Sequence, residues 1–147
     1  MTGPVLLIGV GAEDRGDDAA GLLVARRVRA SAPAGVEVVE SAGDAGELLS
    51  LLDGAERVVL VDAAMGGPAG AVELVPPGAA HCAPARSTHG LGVAEALELA
   101  AALGSRPPVV RLYVVHGAAF EPGPVSPAVD AGVRVAAERI LRDELGR

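Results

Sequence analysis

LLIGVGAEDRGDDAAGLLVARRV, from Leu6 to Val28, decides how this chain folds. An apolar run stops at Gly9-Val10-Gly11 and crosses an acidic loop from Glu13 to Asp18. It then enters a segment with Leu22, Ala25 and Val28 at helical spacing. A continuously apolar strand is one buried on both faces, and it needs helices on either side of its sheet. Asp17 or Asp18 is placed to cap a helix reaching about Ala30. In open α/β sheets, ligands bind beyond the carboxyl ends of the strands, where this turn must lie.

The alternation continues along the chain. Val36–Ser41 is predicted as a second strand. Asp44 with Glu47 three residues on makes a capping-box-like start for a short helix ending near Asp53-Gly54. Arg57–Asp62, containing VVLV, is predicted as a third buried strand. MGGPAG, Met65–Gly70, is a turn-rich loop, and Ala71–Val75 is a short strand stopped by PPG at Pro76–Gly78. His81–Thr88 shows no periodicity. A helix is expected from about Gly90 to Leu103, and another strand over Val109–Val115. Ser126-Pro127 joins an N-cap residue to a proline suited to the first helical position. Val129, Val133, Ala136, Ile140 and Leu141 keep helical spacing after it. The expected fold class is α/β: one three-layer α/β/α domain over residues 1–147. Its sheet is mostly parallel, and the three most apolar strands, Val5–Val10, Arg57–Asp62 and Val109–Val115, are its central neighbours.

Composition bounds the function. With 147 residues, one domain is the natural count. Hydrophobic residues make up 50% but aromatics only 1%, so the core must be built from Val, Leu, Ile and Ala. A formal net charge of -7 argues against nucleic acid or an anionic membrane as a nonspecific partner. Cys82 is the only cysteine, so no intrachain disulfide forms and no oxidising compartment is required. The N-terminus lacks the basic start of a signal peptide. The apolar stretch from Leu91 to Leu103 is broken by Glu95 and Glu98, so it does not span a bilayer. The expectation is a soluble cytoplasmic protein.

Three residues gather at one sheet edge by the ends of their elements. Asp18 follows the first strand's turn, Asp62 closes the third strand, and His89 lies in STHG where a helix begins. Two carboxylates and an imidazole suit a divalent transition metal with open positions. As rim residues the acids are expected to be exposed, with little share in the core. Each also has a plain structural reading as a helix cap, a loop-start residue or a helix-start residue. A dinucleotide reading of Gly9, Gly11 and Gly16 is poor. The third glycine of the fingerprint would fall at Asp14, and the acids around the turn would repel a pyrophosphate. Ser87 with His89 lacks the turn of a nucleophile elbow. Cys82, beside His81 in a proline-flanked segment, reads as an incidental thiol rather than a nucleophile. His116 ends the last strand at the same rim, either lining the site or standing as a plain loop histidine.

GVGAEDRGDDAAG resembles the opening motif, GxGNxxxxDDxxG, of the hydrogenase maturation endopeptidases. These enzymes trim the C-terminus of the nickel-iron hydrogenase large subunit. The resemblance continues at VVLVDAAMGGPAG, STHGLGVAEAL and VVHGAAFEPGPVSPAV, in order over nearly the whole chain. It implies a sheet of order 2-1-3-5-4 with the Ala71–Val75 strand antiparallel. It implies an aspartic-type endopeptidase in which Asp18, Asp62 and His89 contact nickel and carry the catalysis. The nickel belongs to the substrate, the large-subunit precursor, and there is no organic cofactor. The partner is that precursor, with no nucleic acid or membrane, and the protein acts as a monomer.

Two positions depart from the family's pattern. Ala12 stands where the family usually has Asn, and Asp14 where it has an apolar or aromatic residue. A left-handed backbone at Ala12 would cost about 1–2 kcal/mol. One alternative is therefore a noncatalytic metal-dependent hydrogenase assembly factor, which keeps the trio without cutting; a second is a nucleotide-binding α/β enzyme using the Gly9–Gly11 turn.

Overall fold

The computed structural model describes residues 4–75 and 90–146. Strand β1 (Val5–Val10) sends alternate residues to opposite faces. Val5 and Leu7 enter one core, and Ile8 and Val10 the other. β2 (Val36–Ser41) and β3 (Arg57–Met65) flank it in parallel. β4 (Val72–Val75) lies at the far edge, antiparallel to β5 (Val109–Gly117), which pairs in parallel with β3. The order is β2-β1-β3-β5-β4, as the family resemblance implied. The three most apolar strands are indeed the central neighbours.

Helices α1 (Ala20–Ser31) and α4 (Pro127–Asp143) cover one face. There Val24, Val28, Val133 and Ile140 meet Leu7, Val59 and Tyr113. Helices α2 (Ala45–Leu52) and α3 (Gly90–Ala102) cover the other, bringing Leu48, Leu52, Val93 and Leu97 onto Ile8, Leu60 and Val114. Nearly all of this core is aliphatic, which follows from a chain with one Tyr and one Phe.

Two predicted caps form as their residues suggest. Ser126 caps α4 by accepting the Val129 N–H at 3.4 Å, with Pro127 following. Asp44 caps α2 by accepting the Glu47 N–H at 2.9 Å. The Glu47 carboxylate does not reach back to close a capping box, because it accepts the Ser41 hydroxyl at 2.5 Å instead.

The start of α1 differs from its prediction. Neither Asp17 nor Asp18 caps it. A 3-10 turn over Gly16–Ala19 precedes the helix, and its cap residue, Ala19, has no side chain to donate or accept. Both carboxylates are drawn inward. β3 and β5 also run further than predicted, because they pair with each other as far as Met65 and Gly117. Asp62 is thus inside a strand, three residues before its end.

Glycines set how closely α1 lies on the sheet. A Cβ on Gly9 would lie 2.5 Å from the Gly21 carbonyl oxygen and 2.6 Å from the Ala25 Cβ. One on Gly21 would strike the Val10 and Val61 carbonyl oxygens. Left-handed backbone falls at Asp14 (φ 58°) and Gly16 (φ 60°), and not at Ala12. Ala12 therefore carries no such strain, and asparagine's tolerance of positive φ is not needed there.

At the amino ends of the strands, α4 is tied to the sheet by charge. Glu144 takes the Tyr113 hydroxyl at 2.5 Å on one oxygen and Arg57 Nη2 at 2.8 Å on the other. Burial, and the Glu144 carboxylate beside it, push the Tyr113 phenol well above its usual range.

Candidate active site at the carboxyl rim

Two loops build the rim, and one carboxylate laces them. Asp17 is 1% exposed. It accepts the backbone N–H groups of Ala118 (2.7 Å), Ala119 (3.2 Å) and Ser126 (2.7 Å), and the Ser126 hydroxyl (3.2 Å). Burial raises its carboxyl pKa, but those donors outweigh burial and hold it below the usual carboxylate range. Backbone bonds add to the lacing: Gly16 N–H to Gly123 O at 2.9 Å, Gly123 N–H to Asp14 O at 3.1 Å, and Asp17 N–H to Ala119 O at 3.0 Å. Gly16 has no room for a side chain, since a Cβ there would lie 2.8 Å from the Glu121 carbonyl oxygen. On the other flank Arg26 grips Glu13 at 2.5 Å and Glu40 at 2.8 Å. The Arg26 hydrogen bond holds the Glu40 carboxyl below its usual range.

Asp18 follows directly and is 1% exposed, with Arg15 Nε 3.9 Å from its Oδ2. The turn that carries it lies against β3, the strand of Asp62. Asp62 is 3% exposed, and its Oδ1 accepts the Ala63 N–H at 2.8 Å. Two of the three predicted residues thus lie on elements in contact at the carboxyl rim, Asp18 on the turn and Asp62 on β3. They are buried rather than exposed, because the laced loops close over Asp18 and because β3 continues past Asp62. His89 lies outside the described residues, as do His81, Cys82 and Ser87. Among the described residues no three His, Cys, Asp or Glu side chains are close enough to hold a metal ion.

The dinucleotide reading finds no support in this geometry. Gly9 and Gly11 are consumed by contact with the following turn and helix, and buried carboxylates occupy the place of a phosphate. An open groove of about 630 Å³, lined by Leu6, Glu37, Leu51 and Arg57 among others, lies at the opposite end of the strands. Volume alone would favour that groove. The acids, and the rule that α/β sheets bind ligands at strand carboxyl ends, favour the rim.

Sequence reasoning missed two elements. The sequence offers Asp17 only as a possible helix cap, whereas its carboxylate laces two loops. Glu73 was not singled out at all. Its Oε1 lies 2.9 Å from Nε2 of His116, which is 8% exposed and lies within β5 rather than in a loop. Strand alternation on β4 and β5 was the signal that could have paired them.

A family model described as hydrogenase maturation protease matches residues 23–143. The chain belongs to the hydrogenase maturation protease family. That span takes in Asp62 and the position of His89 but starts after Asp18, whose place in the site rests on the rim geometry. This family member is similar to several solved structures. One is the [NiFe] hydrogenase maturation protease HybD from Thermococcus kodakarensis, at 26% identity, covering 95% of this chain and 97% of that one, with a TM-score of 0.79. Another is the hydrogenase maturating endopeptidase HybD from E. coli, at 24% identity over 95% and 90%, with a TM-score of 0.82. A solution structure of an endopeptidase from Escherichia coli matches at 23% identity over 95% and 90%, with a TM-score of 0.85. No curated protein sequence matches. Among the described residues no helix is long and apolar enough to cross a membrane.

Proposed function

We propose that this chain is an endopeptidase that removes the C-terminal extension of a nickel-loaded nickel-iron hydrogenase large-subunit precursor. Asp18, Asp62 and His89 grip the nickel of the precursor and so present the scissile peptide. The observation that carries this reading is the burial of two carboxylates, Asp18 and Asp62, on adjacent elements at the carboxyl rim. Carboxylate oxygens gathered at one rim are a donor set suited to a divalent cation arriving with the substrate. Family membership supplies the reaction class.

The chemistry needs water and no organic cofactor. Water oxygen adds to the scissile carbonyl carbon, the C–N bond breaks, and the amine departs with a proton. The carboxylates are the acid–base groups at hand, which makes the enzyme aspartic-type. The nickel, being substrate, is a Lewis acid next to the bond to be cut. Without nickel the ligands have nothing to hold, and a generic unfolded protein should survive. The same reading places the protein in the cytoplasm, acting as a monomer.

The test is cleavage of purified precursor, with and without nickel, followed by mass spectrometry of the C-terminus. Loss of the extension only from the nickel-loaded form is expected. Binding of that form without cutting would instead make the protein an assembly factor, and cutting of the metal-free form would refute nickel sensing.

A further inference from the structure

His116 holds an unexplained atom. Its Nε2 faces the Glu73 carboxylate at 2.9 Å, and a carboxylate only accepts, so Nε2 carries the proton. In the neutral imidazole Nδ1 is then a bare acceptor. It is buried and has no hydrogen-bond partner among the described residues. A buried polar atom left unsatisfied in a native fold calls for a reason.

What covers Nδ1 is thin. A Cβ on Gly67 would lie 2.6 Å from it, so a side chain at position 67 cannot coexist with the ring as it stands. Gly67 belongs to the exposed turn that leaves β3 after Met65, and the preceding Gly66 has a φ of 113° that permits a pivot. The far end of the turn is fixed, since Gly70 N–H donates to the His116 carbonyl at 2.7 Å and Ala71 O accepts the His116 N–H at 2.9 Å. Pro68 O likewise accepts the Ala71 N–H at 3.0 Å, whereas Gly66 and Gly67, over the ring, have no backbone hydrogen bond among the described residues.

The ring also sits beside the proposed site. Ala64 is paired with His116 and Asp62 with Val114, so strand alternation puts Asp62 and His116 on the same face of neighbouring strands, close to their carboxyl ends. Val114 stands directly across from Asp62, and His116 lies two residues further along β5 on that face, nearer the carboxyl rim.

We propose that His116 is a substrate-binding residue: once the Gly66-Gly67 tip swings aside, its Nδ1 accepts a backbone N–H of the extended C-terminal segment of the precursor, while Glu73 fixes the tautomer. This rests on the reading of the chain as a precursor-cutting endopeptidase. The free protein keeps the acceptor sealed, and docking exposes it.

The test compares His116→Phe with Gly67→Ala in precursor cleavage. His116→Phe keeps a ring and removes the acceptor, and KM should rise about tenfold, one hydrogen bond's worth, with the effect falling on KM rather than kcat. Gly67→Ala forces the tip off the ring beforehand, so KM should fall. A purely structural contact would shift both variants the same way, and that result overturns the proposal, as does an unchanged KM in His116→Phe. If His116→Phe does not fold, the direction of the Gly67→Ala change decides alone. ¹⁵N spectra of histidine-labelled free protein should show His116 protonated at Nε2 and bare at Nδ1, and a protonated Nδ1 in the free protein overturns the idea whatever the substrate. A wild type that cuts while His116→Phe cuts with equal KM defeats only this inference. A wild type that neither binds nor cuts the precursor defeats the endopeptidase reading as well.

Discussion

The Asp17 carboxylate accepts the Ser126 backbone N–H at 2.7 Å, across 109 residues of sequence. Ser126 is also the N-cap of α4. One side chain therefore joins the turn before α1 to the start of the last helix, and it holds Asp18, its neighbour, at the rim.

Asp17→Ala is expected to destabilise the fold by about 2–4 kcal/mol, because three backbone donors and a hydroxyl lose their acceptor together. The effect should depend on pH in a set direction. The folded carboxyl titrates below its ordinary value of 3.8, so its stabilisation is complete above that pH and disappears as pH falls through the lower folded value. The stability gap between wild type and Asp17→Asn in denaturant melts should thus be constant near neutrality and shrink below about pH 4.

The acidic loop yields a prediction at the position where strain sits. Asp14 has a φ of 58° and Ala12 does not, so Asp14→Ala should cost about 1 kcal/mol and Asp14→Gly should cost nothing or stabilise. Ala12→Asn should change stability by less than about 0.5 kcal/mol. Thermal melts of the three variants would show it, and a large loss in Ala12→Asn would mean the turn is built differently.

Ile140 is fully buried between α4 and the sheet. Ile140→Ala should cost about 2–5 kcal/mol by urea unfolding, the cost of emptying a packed site. A loss below about 0.5 kcal/mol would show that this face of α4 is not core.

Asp18→Asn and Asp62→Asn should each abolish precursor cleavage while stability holds within about 1 kcal/mol, since removing a buried charge offsets the hydrogen bonds weakened. The amide oxygen can still accept the Ala63 N–H at position 62. Loss of cleavage with a collapsed melting temperature would mean the acids serve the fold instead. Cys82→Ala should cleave normally.

Much of this was legible because it depends on neighbours in the chain. Continuous apolar runs bounded by glycine and proline marked β1, β3 and β5, since a central parallel strand has no polar face to show. Ser126-Pro127 and Asp44 announced helix starts, because a cap satisfies N–H groups only a few residues away. The strand ends of Asp62 and the turn of Asp18 pointed to one rim, since parallel strands all finish on the same side. The sheet order itself came from the family resemblance and not from the strands' composition.

The rest was set by the fold. Two adjacent acids, Asp17 and Asp18, are indistinguishable as letters, and only the arrival of the loop after β5 makes one an anchor and leaves the other at the site. Strand ends are decided by how long the neighbour keeps pairing, so β3 and β5 lengthen each other past Asp62 and Val115. Glu73 and His116 are 43 residues apart and meet because an edge strand turns back antiparallel. Local sequence sets what each segment can become. Which polar atoms end up buried, and against what, depends on surfaces that exist only once the sheet and both helical layers have closed.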